Sequence, residues 1–394
     1  MKKIQIMLFS ALMLCGCGVR QKHDEQKDAV YESADFTAVV ISDLHYSSSP
    51  SAFNSIVPLE PLCKEVTDAL IEQVIDLSPD AFILTGDNTN NGSAADVTEL
   101  SSKLSKVREA GIEVIMTTGN HDYGQRDMKP YEAYFLPLLD MDEKDPDSYS
   151  YVTEFKGITV FSLDDSHAES SDGYFSEATM SWLKKQLDQA VSKHEHILFL
   201  SHHNILSGRN EAMYEHYLIQ NEGLVKMLKE ADVRLCMSGH QHNQAVYESE
   251  GMYEILNGMP FSSAHTFGLL ELNDEGVSYR TVPIDFESYG KDDLSAMCEE
   301  AIRKQSEVFF STFERLCDEE GLTQNESEHV MVLITRFFDS SGRGTLALDA
   351  KDILNDPWYG KMQEVLYDKN YGPWMEKLLK NPPADGSELT FSWK

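Results

Sequence analysis

The chain has 394 residues, and its acids outnumber its bases by 66 to 33, a formal charge of −33. That balance argues against nucleic-acid binding through a broad basic surface, because phosphates would be repelled. Hydrophobic content of 41% with 10% aromatics excludes global disorder, and the length suits one large or two ordinary domains.

The first residues read as an export signal. Lys2 and Lys3 precede an apolar run, Ile4 to Leu14, that is too short for an ordinary membrane span. Leu14-Cys15-Gly16-Cys17 follows and resembles a bacterial lipobox. The resemblance implies a signal peptide over 1–17 and a lipid anchor on Cys17. The protein is then expected to be extracytoplasmic and membrane-attached. Residues 18–34 are polar and aperiodic, the texture of a tether.

From residue 35 short apolar runs alternate with amphipathic stretches. Strands are predicted at Thr37–Ser42, Ala81–Thr85, Ile112–Thr117, Ile158–Leu163, Ile197–Ser201 and Arg234–Met237. Helices are predicted at Leu59–Leu77, Ala94–Ala110, Glu177–Ser192 and Glu222–Ala231. This alternation implies an α/β core. Gln244–Glu248, Met252–Leu256, Gly268–Leu272 and Val277–Pro283 are close together with turn residues between, which predicts antiparallel pairing.

The texture changes near 290, so 35–289 and 290–394 are read as two domains. Leu294, Cys298, Ile302, Phe309, Phe313 and Leu316 form one helical stripe. Val330, Leu333, Ile334, Phe337 and Phe338 form another. Asp339 to Gly344 imitates a calcium loop, but Arg343 and Ala350 stand where acids are needed, so a turn is expected. Outside the signal lie Cys63, Cys236, Cys298 and Cys317, with no zinc spacing. They read as buried thiols, although Cys298 and Cys317 could bridge in an exported protein.

Five polar clusters each directly follow a predicted strand. They are Asp43-Leu44-His45, Gly86-Asp87, Gly119-Asn120-His121-Asp122, Ser201-His202-His203-Asn204 and Gly239-His240-Gln241-His242. Ligands of open α/β sheets bind beyond the carboxyl ends of strands, so five such clusters can converge. Carboxylate and imidazole suit zinc, manganese or iron, and thiolates are missing from the set. A shared carboxylate can hold two ions ~3.5–4 Å apart.

In this order the clusters resemble the calcineurin-like metallophosphoesterases, whose pattern is DxH, GD, GNH with an acid, H, and GHxH. The match runs from Asp43 to His242. The resemblance implies a four-layer α/β/β/α sandwich, here with a smaller helical C-terminal domain. It implies one ion on Asp43, His45, Asp87 and His242, and a second on Asp87, Asn120, His202 and His240. Hydroxide between the ions is expected to attack phosphorus, with His121 protonating the leaving oxygen and Asp122 orienting His121. His45, Asn120, His121 and His242 would line the phosphate pocket, with His203 at its rim. Gly86 to Gly92, with Trp182-Leu183 on a later helix, looks like the cyclic nucleotide phosphodiesterase branch, and 3′,5′-cyclic AMP-like nucleotides are the expected substrate. Asn88 and Asn204 depart from that branch, where an apolar residue and a proline are usual. His265 is a candidate further substrate contact. One alternative is a broad phosphodiesterase or phosphomonoesterase acting on nucleotides or headgroup esters. Another, outside catalysis, is a lipid-anchored binding protein with a vestigial site.

Overall fold

Val39-Val40-Ile41 and Ala81 to Leu84 are buried on both faces, the mark of strands covered on both sides of a sheet. In the computed structural model they lie at the centre of a six-stranded sheet. The structure describes residues 35–50, 59–193, 196–206, 217–262, 264–290, 293–367 and 371–393. The expected signal, the tether, Cys17 and His194 lie outside these residues.

The first sheet has the order β13-β12-β11-β1-β2-β3. Its strands are β1 (Asp35–Ile41), β2 (Ala81–Thr85), β3 (Glu113–Thr117), β11 (Thr266–Asn273), β12 (Gly276–Pro283) and β13 (Glu388–Ser392). The second has the order β4-β5-β6-β7-β8-β10-β9. It comprises β4 (Glu143–Lys144), β5 (Tyr151–Phe155), β6 (Ile158–Ser162), β7 (His196–Leu200), β8 (Leu235–Ser238), β9 (Ala245–Ser249) and β10 (Met252–Leu256). β1, β2 and β3 run parallel, as do β6, β7 and β8. Each trio therefore presents its carboxyl ends at one edge.

Alternation along the strands sets the layers. Leu198 and Leu200 of β7 join the core shared with the first sheet, while Ile197 and Phe199 pack with Leu183 and Leu187. These leucines belong to α3 (Glu177–Lys193), which with α4 (Leu224–Glu230) covers the outer face of the second sheet. α1 (Cys63–Leu77) and α2 (Ala94–Glu109) cover the first. The result is the α/β/β/α sandwich.

After α5 (Phe286–Tyr289) come α6 (Leu294–Glu319), α7 (Gln324–Arg343), α8 (Leu346–Asn355), α9 (Tyr359–Leu366) and α10 (Tyr371–Lys380). Thr323 and Glu326 form a reciprocal cap that starts α7. The calcium-like segment is the last turn of α7, ended by Gly344 at φ 77°. Phe313 and Leu316 of the first expected stripe meet Leu333 and Phe337 of the second in a core of their own, whereas Leu294, Cys298 and Ile302 of the first pack with the core of the sandwich. All four described cysteines are unpaired. Cys298 and Cys317 sit on the same helix, 19 residues and so about 28 Å apart along its axis, which rules out a bridge. Among the described residues no helix is long and apolar enough to cross a membrane.

Two elements differ from the sequence reading. Tyr151–Phe155 is a strand, joined to β6 by Lys156 and Gly157 at φ 50° and 76°, the left-handed pair that tight hairpins need. Residues beyond 290 are also not helical to the end, since β13 returns to pair with β12. Phe391 of β13 stacks on Tyr253, 4.4 Å between ring centres, and Trp393 stacks on His196 at 4.3 Å. β13 belongs to one sheet, and these side chains grip the other. Phe391→Ala should lower stability by about 1–2 kcal/mol, less than the ~3–5 of a fully buried ring, because Phe391 is half-buried. Denaturant unfolding checks this.

Candidate active site

The turns after β1, β2, β3, β7 and β8 hold one another. Asp43 N–H donates to the Gly86 carbonyl at 3.1 Å, and His45 N–H to that of Asp87 at 2.9 Å. His240 N–H reaches the Asp43 carboxylate at 3.0 Å. His202 Nδ1 donates to the Thr85 carbonyl at 3.0 Å, linking the two sheets. Such contacts need close backbone approach. A Cβ at Gly119 would overlap the Asp87 amide and carboxylate, and one at Gly239 would overlap Ser42 and Asp43. Asp43, His45, Asp87, His240 and His242 all have φ between 46° and 68°. That left-handed region is unfavourable for side-chain-bearing residues, and such strain gathers at functional sites. These five are all among the seven expected ligands.

Six of the seven fall into two groups that share Asp87, and Asn120 stands beside the second. In the first, His45 Nε2 lies 3.0 Å from His242 Nε2 and 3.6 Å from Asp87 Oδ2. His242 Nε2 is 3.4 Å from Asp43 Oδ1. In the second, His202 Nε2 is 3.2 Å from His240 Nδ1, 3.2 Å from Asn120 Oδ1 and 3.4 Å from Asp87 Oδ2. Ligands ~2.0–2.2 Å from one ion stand about 3.0–3.5 Å from each other at tetrahedral or octahedral angles. The donor set and its spacing fit two divalent ions. Asp87 Oδ2 faces both groups, while its Oδ1 accepts from His121 N–H at 2.8 Å.

The charges are ordered. Burial holds the His45 imidazole neutral, down to about 3, against the pull of Asp87. Burial, helped by His203 and His202, also lowers His240. Burial opposes charge on His202 too, but Asp87 raises it to about 10. Burial opposes the Asp43 carboxylate, yet His242 holds it at about 2. His242 is itself raised, because Asp43 outweighs its burial.

Residues 36–244, just over half the chain, match the calcineurin-like phosphoesterase family. The chain belongs to that family. A probable cyclic nucleotide phosphodiesterase from Rhodococcus erythropolis is 25% identical over 217 residues, 55% of this chain and 68% of the relative. A probable glycerophosphodiester phosphodiesterase from Arcobacter nitrofigilis is 28% identical over 211 residues, 52% of this chain and 71% of the relative. A dimetal phosphatase from Danio rerio superposes with a TM-score of 0.50 at 15% identity, covering 64% of this chain and all of the other. That last likeness speaks to the fold alone. The family match leaves the helices beyond 290 outside it.

Within this phosphoesterase, other expected site residues take places the sequence did not foresee. His121 stands beside the first group, its ring 4.5 Å from that of His45. Its Nδ1 is held by the Asn90 carbonyl at 2.8 Å, not by Asp122. Asp122 instead accepts from Gly119 N–H, Asn88 N–H and Nδ2, and Thr89 N–H and Oγ1, at 2.8–3.2 Å. Its work is to fix the turn that carries Asn90. His203 is not at a rim. It is fully buried, with Nδ1 2.8 Å from Asp165 Oδ1 and Nε2 2.8 Å from the Ser171 carbonyl, so both ring nitrogens are engaged. Asn204, at the usual proline position, donates to Ser238 Oγ and the Gly239 carbonyl, both at 2.9 Å, and steadies the GHxH turn. Asn88 spans Asp122 and the Thr117 carbonyl. His265 rests against Phe286, 5.3 Å between ring centres.

Asp165 is a participant the motifs missed. Its Oδ2 accepts the amides of His202 and His203 at 3.0 and 2.9 Å, which fixes the turn bearing a ligand. It follows the strand predicted at Ile158–Leu163, so a sixth strand end carried the signal.

Asp87→Ala should remove the shared ligand, so elemental analysis should find both ions lost while circular dichroism shows an intact fold. Asp87 raises His202 to about 10, so this imidazole holds a proton at neutral pH that a bound ion must displace. Adding divalent ions to the stripped protein at pH 7.5 should therefore release about one proton per chain from His202, measurable by calorimetry in buffers of different ionisation enthalpy.

Proposed function

We propose that this protein is a phosphodiesterase acting through two divalent ions, manganese, iron or zinc. The carrying observation is two ligand groups that share one carboxylate, with His121 beside them. Bound ions would supply activated water and neutralise the phosphoryl oxygens. The chain's own residues do the rest. Asp87 sets the spacing of the two groups, and the Thr85 carbonyl keeps His202 turned with Nε2 inward. The Asn90 carbonyl occupies Nδ1 of His121 and leaves Nε2 to hand a proton to the departing oxygen. Asn120, His45 and His242 border the place of the phosphate. A diester carries one negative charge and does not require a bidentate guanidinium clamp.

Cyclic nucleotides are the diesters we propose first. The likeness to the probable cyclic nucleotide phosphodiesterase of Rhodococcus erythropolis supports this, as does the Gly86–Gly92 motif. We also propose an extracytoplasmic protein lipidated on Cys17, on the strength of the Leu14–Cys17 signal.

His121→Ala should keep both ions but slow hydrolysis of an alkyl diester by ~10²–10⁴. The loss should shrink for nitrophenyl diesters, whose leaving group needs no proton. Equal losses on both would remove the acid role from His121.

A further inference from the structure

A cleft of about 1380 Å³ opens at His242 and runs between α6 and α7. It exceeds the ~300–1,000 Å³ of an ordinary small-molecule pocket. His242, a residue of the first ligand group, is part of its lining, so the cleft continues the site itself. From Ile302 to Phe313 the α6 wall is about 16 Å long.

The lining is mixed, with Asn243, Gln305, Ser306 and Thr335 among its polar members and an apolar stripe beside them. Ile302, Phe309, Phe310, Met331 and Phe338 are half-buried. Val308 and Val332 also line it and are 49% and 66% exposed. The rings form one wall, with Phe309 and Phe338 5.1 Å apart and Phe313 and Phe338 5.5 Å apart. Its two guanidiniums are already matched. Arg336 pairs with Asp349 and Asp352, and Arg343 with Asp339. The cleft therefore offers no unshared cation for a second phosphate.

A nucleobase would fill only a fraction of this length. A hydrocarbon chain has no polar atoms to satisfy and can follow the whole wall. We infer that the site takes amphiphilic phosphodiesters, with the phosphate at the two ligand groups and the hydrocarbon chain of one ester arm along the α6–α7 cleft. This rests on the phosphodiesterase reading and adds to it, beyond cyclic nucleotides, a class of linear diesters with one hydrocarbon arm.

A series of p-nitrophenyl alkyl phosphates from methyl to decyl, kept below their aggregation limits, tests the inference. KM should fall about threefold per added methylene, with kcat little changed. The Kd of the matching monoalkyl phosphates, read by calorimetry without turnover, should fall in parallel. Val332→Asp, at an exposed position that the fold tolerates, should flatten both slopes. If the methyl ester is cleaved and neither slope exists, the phosphodiesterase stands and the cleft assignment falls. If no ester is cleaved but Kd tracks chain length, the cleft assignment stands and the phosphodiesterase reading falls. A slope that survives Val332→Asp places the chain elsewhere and overturns the inference. So does a dimer, seen by sedimentation, that Val332→Asp dissolves, since the cleft then belongs to a second copy.

Discussion

The carboxylate of Asp87 is the point on which the two sheets close. One oxygen faces His45 and His202, which come from different sheets, and the other takes the amide of His121. A fully buried carboxylate is costly unless it is matched. Here the matching groups come from the ends of four other strands. Each must arrive within hydrogen-bond or ligand distance, and the turns after β1, β2 and β8 are held in a conformation a free chain would avoid. Five ligand residues in the left-handed region are the visible cost of that convergence. Parallel strands make it feasible, because parallel pairing puts successive carboxyl ends along one edge.

The strands that point into the site were legible because burial on both faces leaves a continuous apolar run. The ligands were legible because Asp, His and Asn directly after such runs have few structural reasons to be there. The pairing of His121 with Asp122 misled for a local reason. Residues 120–123 form a 3₁₀ turn, in which neighbouring side chains diverge by about 120°. His121 therefore faces the ligands while Asp122 faces inward. Only a group from outside that turn can orient the imidazole, and the backbone carbonyl of Asn90 does so from the turn after β2.

His203 was illegible for a different reason. Its neighbours in sequence are a ligand and an asparagine, but its partners lie 32 and 38 residues earlier. Those partners depend on the path of the chain between β6 and α3, which no local pattern encodes. β13 shows the same limit. Glu388-Leu389-Thr390-Phe391-Ser392 alternates as a strand should, yet it follows the six helices α5 to α10. Its partner β12 ended about 105 residues earlier, and a lone alternating run does not say which edge it will join.

His242 joins the parts of the molecule with the least in common. Its imidazole faces His45 and Asp43, its backbone is held at φ 56°, and a quarter of its side chain meets the cleft. On one side of it every group is charged or polar and fixed by several partners. On the other lie aromatic rings that the helices leave half covered. The excess of acid across the surface is screened beyond about 8 Å at physiological salt, so it cannot select among small anions already inside. Discrimination must then come from contacts within reach of the ligand groups. The family match ends at residue 244, two residues past His242. In the proposal above, the helices that line this cleft contribute those contacts beside the shared phosphoesterase core.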